Sequence, residues 1–162
     1  MELNFRVGKK NDQKQLKALS ISAYSPFQAV LTEENWKTLS DKLHDERSYT
    51  SMLEIAQCFV CEAEGKIVGV AYIVPSGNPT AIFDTSWSYI RMVGVDPAFR
   101  GKGIARKLTE LCIAFARQTD ESIIALHTSE FMHSARALYE DLGFKRIKEI
   151  DPIFGKKYWL YQ

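Results

Sequence analysis

Val93-Gly94-Val95-Asp96-Pro97-Ala98-Phe99-Arg100-Gly101-Lys102-Gly103-Ile104-Ala105 leads from an apolar strand through a proline break and two glycines into an amphipathic helix. Gly101 and Gly103 have no Cβ, so the backbone can turn sharply and come close to a ligand. The first amides of the following helix are then left as unsatisfied donors. A pyrophosphate satisfies such donors. Hydrogen bonds to a charged group are worth about 1.5–3 kcal/mol each, against about 0.3–1 kcal/mol for the helix dipole. Converging amides would therefore dominate affinity, with Arg100 and Lys102 adding to it. The alternative reading is a tight strand-to-helix connection with solvated basic side chains. The lead-in strand, the proline and the immediate helix start favour an anion cradle.

Two common phosphate loops do not fit. A Rossmann fingerprint needs a third glycine and an acidic residue about 20 positions on at a strand end. A Walker loop needs Gly-Lys followed by Ser or Thr, and Gly101-Lys102-Gly103 does not supply it.

The chain outward from the cradle alternates strands and helices without repeats or a linker, as expected of one α/β domain. Trp87–Val95 reads as the strand leading in. Ile104, Leu108, Leu111, Cys112 and Phe115 mark the buried face of the helix leading out. Ile123–Leu126 reads as a buried strand. Ala135, Leu138, Tyr139 and Leu142 share one side of a later helix that Gly143 stops, and Ile147 and Ile150 belong to the next strand. Lys156–Tyr161 is apolar on both faces, so the domain itself or a second subunit in a homodimer should cover it.

Upstream, Leu3, Phe5 and Val7 alternate as in a strand. Asn11 or Asp12 can cap a helix carrying Leu16, Leu19 and Ala23, which Ser25-Pro26 should end. Thr32-Glu33-Glu34 starts a second helix with Trp36, Leu39 and Leu43 at helical spacing. Residues 57–63 and 66–75 read as strands joined at Glu64-Gly65, with a bulge expected at Gly69. Ser76-Gly77-Asn78-Pro79 is a turn-rich loop.

At 162 residues, 46% hydrophobic and 25% charged, the chain has the size and composition of one globular domain. A net charge of +1 gives no sequence-wide reason to bind nucleic acid or an anionic membrane. Met1–Arg6 lacks the apolar core of a signal peptide and no later run spans a bilayer, so a cytoplasmic protein is expected. Cys58 and Cys61 have the Cys-x-x-Cys spacing of a zinc or redox site. They lie in an apolar strand, where positions three apart face opposite sides, so both read as core. His44, His127 and His133 share no metal-ligand spacing with a cysteine, and no metal is expected.

Arg100-Gly101-Lys102-Gly103-Ile104-Ala105 resembles the Arg/Gln-x-x-Gly-x-Gly/Ala signature of the GNAT superfamily of N-acetyltransferases. Ile90–Pro97 looks like the strand before it, and Ala135–Phe144 is similar to the family's later helix and the Gly-Phe after it. The resemblance covers roughly residues 87–149; the N-terminal half agrees only in its order of elements. It implies one GNAT-like domain over residues 1–162, with a mixed, mostly antiparallel central sheet flanked by helices. It further implies that acetyl-CoA is the cosubstrate and that an acetyl group passes to a primary amine by direct attack.

On this resemblance Val93, Gly94 and Val95 offer free backbone to the pantetheine arm, and Arg100, Gly101, Lys102, Gly103, Ile104 and Ala105 hold the diphosphate. Tyr139 would protonate the departing thiolate, a role that a phenol of pKa about 10 suits. From periodicity alone Tyr139 is a core aromatic. Met132 stands where many members have asparagine. Tyr89 or Ser88 occupies the neighbourhood of the family's glutamate base, which leaves His127 and Asp84 as substitutes. Tyr24, Phe27, Trp36 and Tyr49 either line an acceptor pocket or fill the core, the latter favoured for Trp36. The rival readings are a non-catalytic acyl-CoA sensor and a nucleic-acid binder resting on Arg100, Lys102, Arg106 and Lys107.

Overall fold

The structure, a computed structural model, describes residues 2–162. Its elements follow the order β1 (Leu3–Val7), α1 (Gln13–Tyr24), α2 (Glu33–His44), α3 (Glu46–Ile55), β2 (Gln57–Ala63), β3 (Lys66–Val74), β4 (Ser88–Val95), α4 (Ile104–Gln118), β5 (Ile124–Ser129), α5 (His133–Asp141), β6 (Arg146–Ile153) and β7 (Lys156–Tyr161). The strands form one seven-stranded sheet in the order β1-β2-β3-β4-β5-β7-β6. Every neighbouring pair is antiparallel except β4 and β5. This is the mixed, mostly antiparallel α/β architecture expected above.

Alternation along the strands builds two cores. On one face Cys61, Ile90 and Leu126 pack with Ile104, Leu108 and Cys112 of α4 and Tyr139 of α5. On the other, Cys58, Val70 and Tyr72 pack with Leu16 and Leu19 of α1 and, more peripherally, Met52 of α3. Cys58 and Cys61 thus point to opposite faces. Burial pushes the Cys58 thiol up to about 12. Among the described residues no helix is long and apolar enough to cross a membrane.

Thr32 caps α2 by accepting from Asn35 N–H at 3.1 Å. α3 has no counterpart in the sequence reading. Asp45 ends α2 and caps α3 at once, accepting from Arg47 N–H at 3.0 Å, so neither glycine nor proline marks the break. Asp12 occupies the N-cap of α1 but does not cap it. Its carboxylate instead accepts from Lys9 N–H at 2.8 Å and from the Arg6 guanidinium at 2.8 and 2.9 Å. The hydrogen bond from Arg6 holds this carboxyl below its ordinary range.

The bulge in β3 falls at Val68, beside Gly69 rather than on it. Gly69 serves close packing: a Cβ there would lie 2.6 Å from Ile104 Cγ2, so its absence lets the first turn of α4 sit directly on the sheet. β7 is covered within its own domain. Tyr161 enters the α4 core, Leu160 a separate cluster with Val74, Phe83, Tyr89 and Ala125, and Trp159 lies under the guanidiniums of Arg136 and Arg146, at 5.4 and 4.4 Å from its ring centre.

Candidate functional site

β4 and β5 pair only at Ser88 with Ile124 and Tyr89 with Ala125. Beyond Tyr89 they part, while β4 stays paired to β3 as far as Val95 opposite Gly69. Backbone groups of Ile90–Val95 that point toward β5 therefore lack a strand partner, a costly state for buried amides and carbonyls. A bulge sets Met92 and Val93 against Ala71 and holds Met92 at φ +53°. A left-handed methionine costs on the order of 1 kcal/mol and re-aims the strand beside the gap.

A cavity of about 930 Å³ occupies the split. Ile90, Val93 and Tyr139 line it from the α4 face; Tyr24, Arg91 and His127 line it from the other. Of the residues singled out from sequence, Val93, Gly94, Val95, Arg100 and Tyr139 meet in this one cavity. Gly101, Lys102, Gly103, Ile104 and Ala105 lie next to Arg100 but outside its lining.

Those five form the turn into α4. Gly101 and Gly103 both take φ +77°, and a Cβ on either would meet nothing within 4 Å. What they require is the left-handed backbone, and what they leave is open space. Gly103 is the N-cap and has no side chain to cap with. The first helical bond runs from Lys107 N–H to Gly103 O at 3.1 Å. The N–H groups of Gly103, Ile104, Ala105 and Arg106 thus have no acceptor among the described residues. The basic side chains are less free. Arg100 donates to Ala23 O at 3.0 Å at the end of α1, and Arg106 pairs with Asp141.

Tyr139 is 7% exposed and packs edge-on to Phe144, with ring centres 6.0 Å apart. Burial raises its phenol well above the ordinary range, so it is protonated at neutral pH. Its hydroxyl has no protein partner among the described residues. The end of α5 is fixed by Phe144 N–H donating to Tyr139 O at 3.0 Å and Gly143 N–H to Glu140 O at 3.1 Å. This paired cap orients the helix that carries the tyrosine.

The groups considered as proton acceptors separate cleanly. Ser88 donates to Ile123 O at 2.7 Å, and Tyr89 donates to Asn78 O at 2.8 Å while stacked on Phe83. Asp84 is exposed, accepts from Ser86 N–H at 3.0 Å, and is absent from the cavity lining. His127 does line the cavity, stacked on Phe83 with ring centres 5.7 Å apart. Its Nδ1 is buried without a partner. Burial, aided by the charge of Arg91, lowers its pKa to about 4.

Tyr24 and Phe27 line the cavity, whereas Tyr49 is fully buried and donates to Leu43 O at 2.6 Å. Trp36 packs against the small cluster of Leu31, Leu39 and Leu43. Met132 lines the cavity, its sulfur accepting from the Thr128 hydroxyl at 3.4 Å. Arg91 is one of the charged cavity residues, with Lys42, that sequence reasoning passed over. Its signal was a lone charge inside an apolar strand. Met92's backbone strain had no sequence signal.

The chain is similar in sequence and fold to known proteins. The human protein N-acetyltransferase 8B is 38% identical over 101 residues, which is 62% of this chain and 43% of that protein, so the chain spans less than half the length of this relative. The Escherichia coli protein called uncharacterized N-acetyltransferase YjgM is 34% identical over 118 residues, 72% of this chain and 68% of that one. In fold, the chain is similar to the PaiA N-acetyltransferase of Thermoplasma acidophilum, solved in complex with coenzyme A. The TM-score is 0.79 at 11% identity, covering 99% of this chain and 98% of that one. The acetyltransferase (GNAT) family profile matches residues 22–144, a stretch that holds the split, the turn into α4 and Tyr139, and the chain belongs to that family.

Proposed function

We propose that residues 1–162 form one N-acetyltransferase domain that moves an acetyl group from acetyl-CoA directly to a primary amine. The observation that carries this reading is one cavity lined by unpaired β4 backbone and a buried, protonated tyrosine, with four uncapped α4 amides on the turn that follows Arg100 of its lining. These residues fit the cosubstrate. The amides of Gly103–Arg106 suit a diphosphate, with Lys102 exposed beside them and Arg100 bracing the loop against Ala23. The free backbone of Val93–Val95 suits an amide-bearing arm. Bound acetyl-CoA supplies an acyl carbon activated as a thioester.

The balance of the reaction requires two proton transfers. The amine nitrogen gains a bond to the acyl carbon, the carbon–sulfur bond breaks, one proton leaves the amine and one reaches the thiolate. Tyr139 donates toward the thiolate; the burial that raises its own pKa also raises that of a thiol held in the same cavity. The amine's proton passes to water in the cavity, which the neutral imidazole of His127 lines. Calorimetric titration with acetyl-CoA tests the binding step and should saturate below millimolar ligand. A thiol-release screen across amines tests transfer. Saturable binding with no release from any amine would instead identify a sensor of acyl-CoA.

A further inference from the structure

Arg91 is half-buried on β4. Its neighbour Ile90 packs into the α4 core, so strand alternation sends Arg91 to the opposite face of the sheet. His127 faces the same side, because its neighbour Leu126 also belongs to the α4 core. The two therefore flank the split on the face away from α4 and Tyr139, where an acceptor must enter if the cosubstrate enters along α4.

Among the described residues Arg91 makes no hydrogen bond and no ion pair. A half-buried guanidinium has five donors to satisfy and normally has a carboxylate beside it. The cavity offers none, because no Asp or Glu lines it. Its other charged side chains are Lys42, which lies over the Phe154 ring 5.5 Å from the centre, and Arg100, already bound to Ala23. His133 is engaged by Arg136 at 2.8 Å. The potential on the acceptor side is thus positive, with one unfilled fork of donors beside a histidine whose Nδ1 is also unfilled.

Building on the acetyl-transfer reading, we infer that the acceptor is a small amine carrying its own oxyanion, of the free amino-acid class, which docks that group on Arg91 and presents its nitrogen toward His127 and the thioester. A planar guanidinium matches a carboxylate in bidentate fashion. The same field repels polyamines and aminoglycosides, and a peptide N-terminus lacks the adjacent carboxylate.

The test is thiol release from acetyl-CoA with the common amino acids, each paired with its carboxamide, plus O-phosphoethanolamine, a polyamine and short peptides. At least one acid should exceed its carboxamide by about 100-fold in kcat/KM, the effect of charge-assisted hydrogen bonds lost from a desolvated site. O-Phosphoethanolamine separates carboxylate from phosphate recognition; a preference for either oxyanion over neutral amines supports the inference. Arg91→Met should shrink the acid-to-amide ratio to below about tenfold without changing the KM for acetyl-CoA, and Arg91→Lys should keep part of the preference. Preference for carboxamides, peptides or polyamines in the unaltered protein would overturn the inference and leave acetyl transfer standing. Release from no amine at all would remove both.

Discussion

Replacing Gly69 with alanine should disturb the turn into α4 from an adjacent strand. The new Cβ would fall 2.6 Å from Ile104 Cγ2 and 3.1 Å from Leu108 Cδ1. Carbon atoms pack at about 3.5–4.0 Å, so Ile104 must retreat by roughly 0.9 Å or more. It cannot swing aside, because Cγ2 hangs directly from a β-branched carbon that has one favoured χ1 in a helix. Ile104 is also the first residue of α4, so its retreat carries the uncapped amides with it. An added methyl in a close-packed core costs about 1–3 kcal/mol. For a chain of this length that lowers Tm by about 2–12 °C. If one charge-assisted hydrogen bond to the diphosphate is lost, acetyl-CoA affinity falls by about tenfold or more. Thermal unfolding and calorimetric titration read the two effects separately. The double variant with Ile104→Ala removes the obstructing atom and should show a favourable coupling of about 1 kcal/mol or more in a stability cycle. Unchanged Tm and affinity in Gly69→Ala, or strict additivity in the cycle, would refute this account of how the cradle is seated.

Tyr139→Phe should lower kcat by about 100-fold while leaving acetyl-CoA affinity within about threefold, since the hydroxyl touches no protein group; equal losses in both would mean that the ring only packs. Stability should fall with acidity in two separable windows. His127 binds its proton more weakly folded, at about 4, than unfolded, at about 6.5, so the unfolded state gains protons first as pH drops from 6.5 toward 4, at a cost on the order of 3 kcal/mol. Denaturant titrations across this range should flatten in His127→Gln. Asp12, held down by Arg6, loses its contribution only below about pH 4, where its unfolded form protonates. Cys58, Cys61 and Cys112 are buried and their thiols are raised by burial, so an aromatic disulfide reagent should label them only after denaturation. Rapid labelling of the native protein would contradict the packing described.

Local chemistry decided what could be read in advance. Gly101 and Gly103 announce left-handed backbone, Thr32 a helix start, Gly143 a helix stop, and the apolar runs of β2, β3 and β4 a buried sheet, because each of these depends on neighbours within a few residues. The Arg100–Ala105 and Ala135–Phe144 motifs likewise placed the turn and the tyrosine without coordinates. Tertiary structure decided everything that depends on residues distant in sequence. Only the divergence of β4 from β5 after Tyr89 creates the cavity, and only the assembled sheet brings Arg91, His127, Tyr24 and Tyr139 around it. The tie between Arg100 and Ala23, 77 positions apart, and the Gly69 contact with Ile104 are of the same kind. A sequence determines the conformation each segment prefers, but which side chains are left unpaired in a shared cavity is fixed by packing, because that depends on every element that meets there.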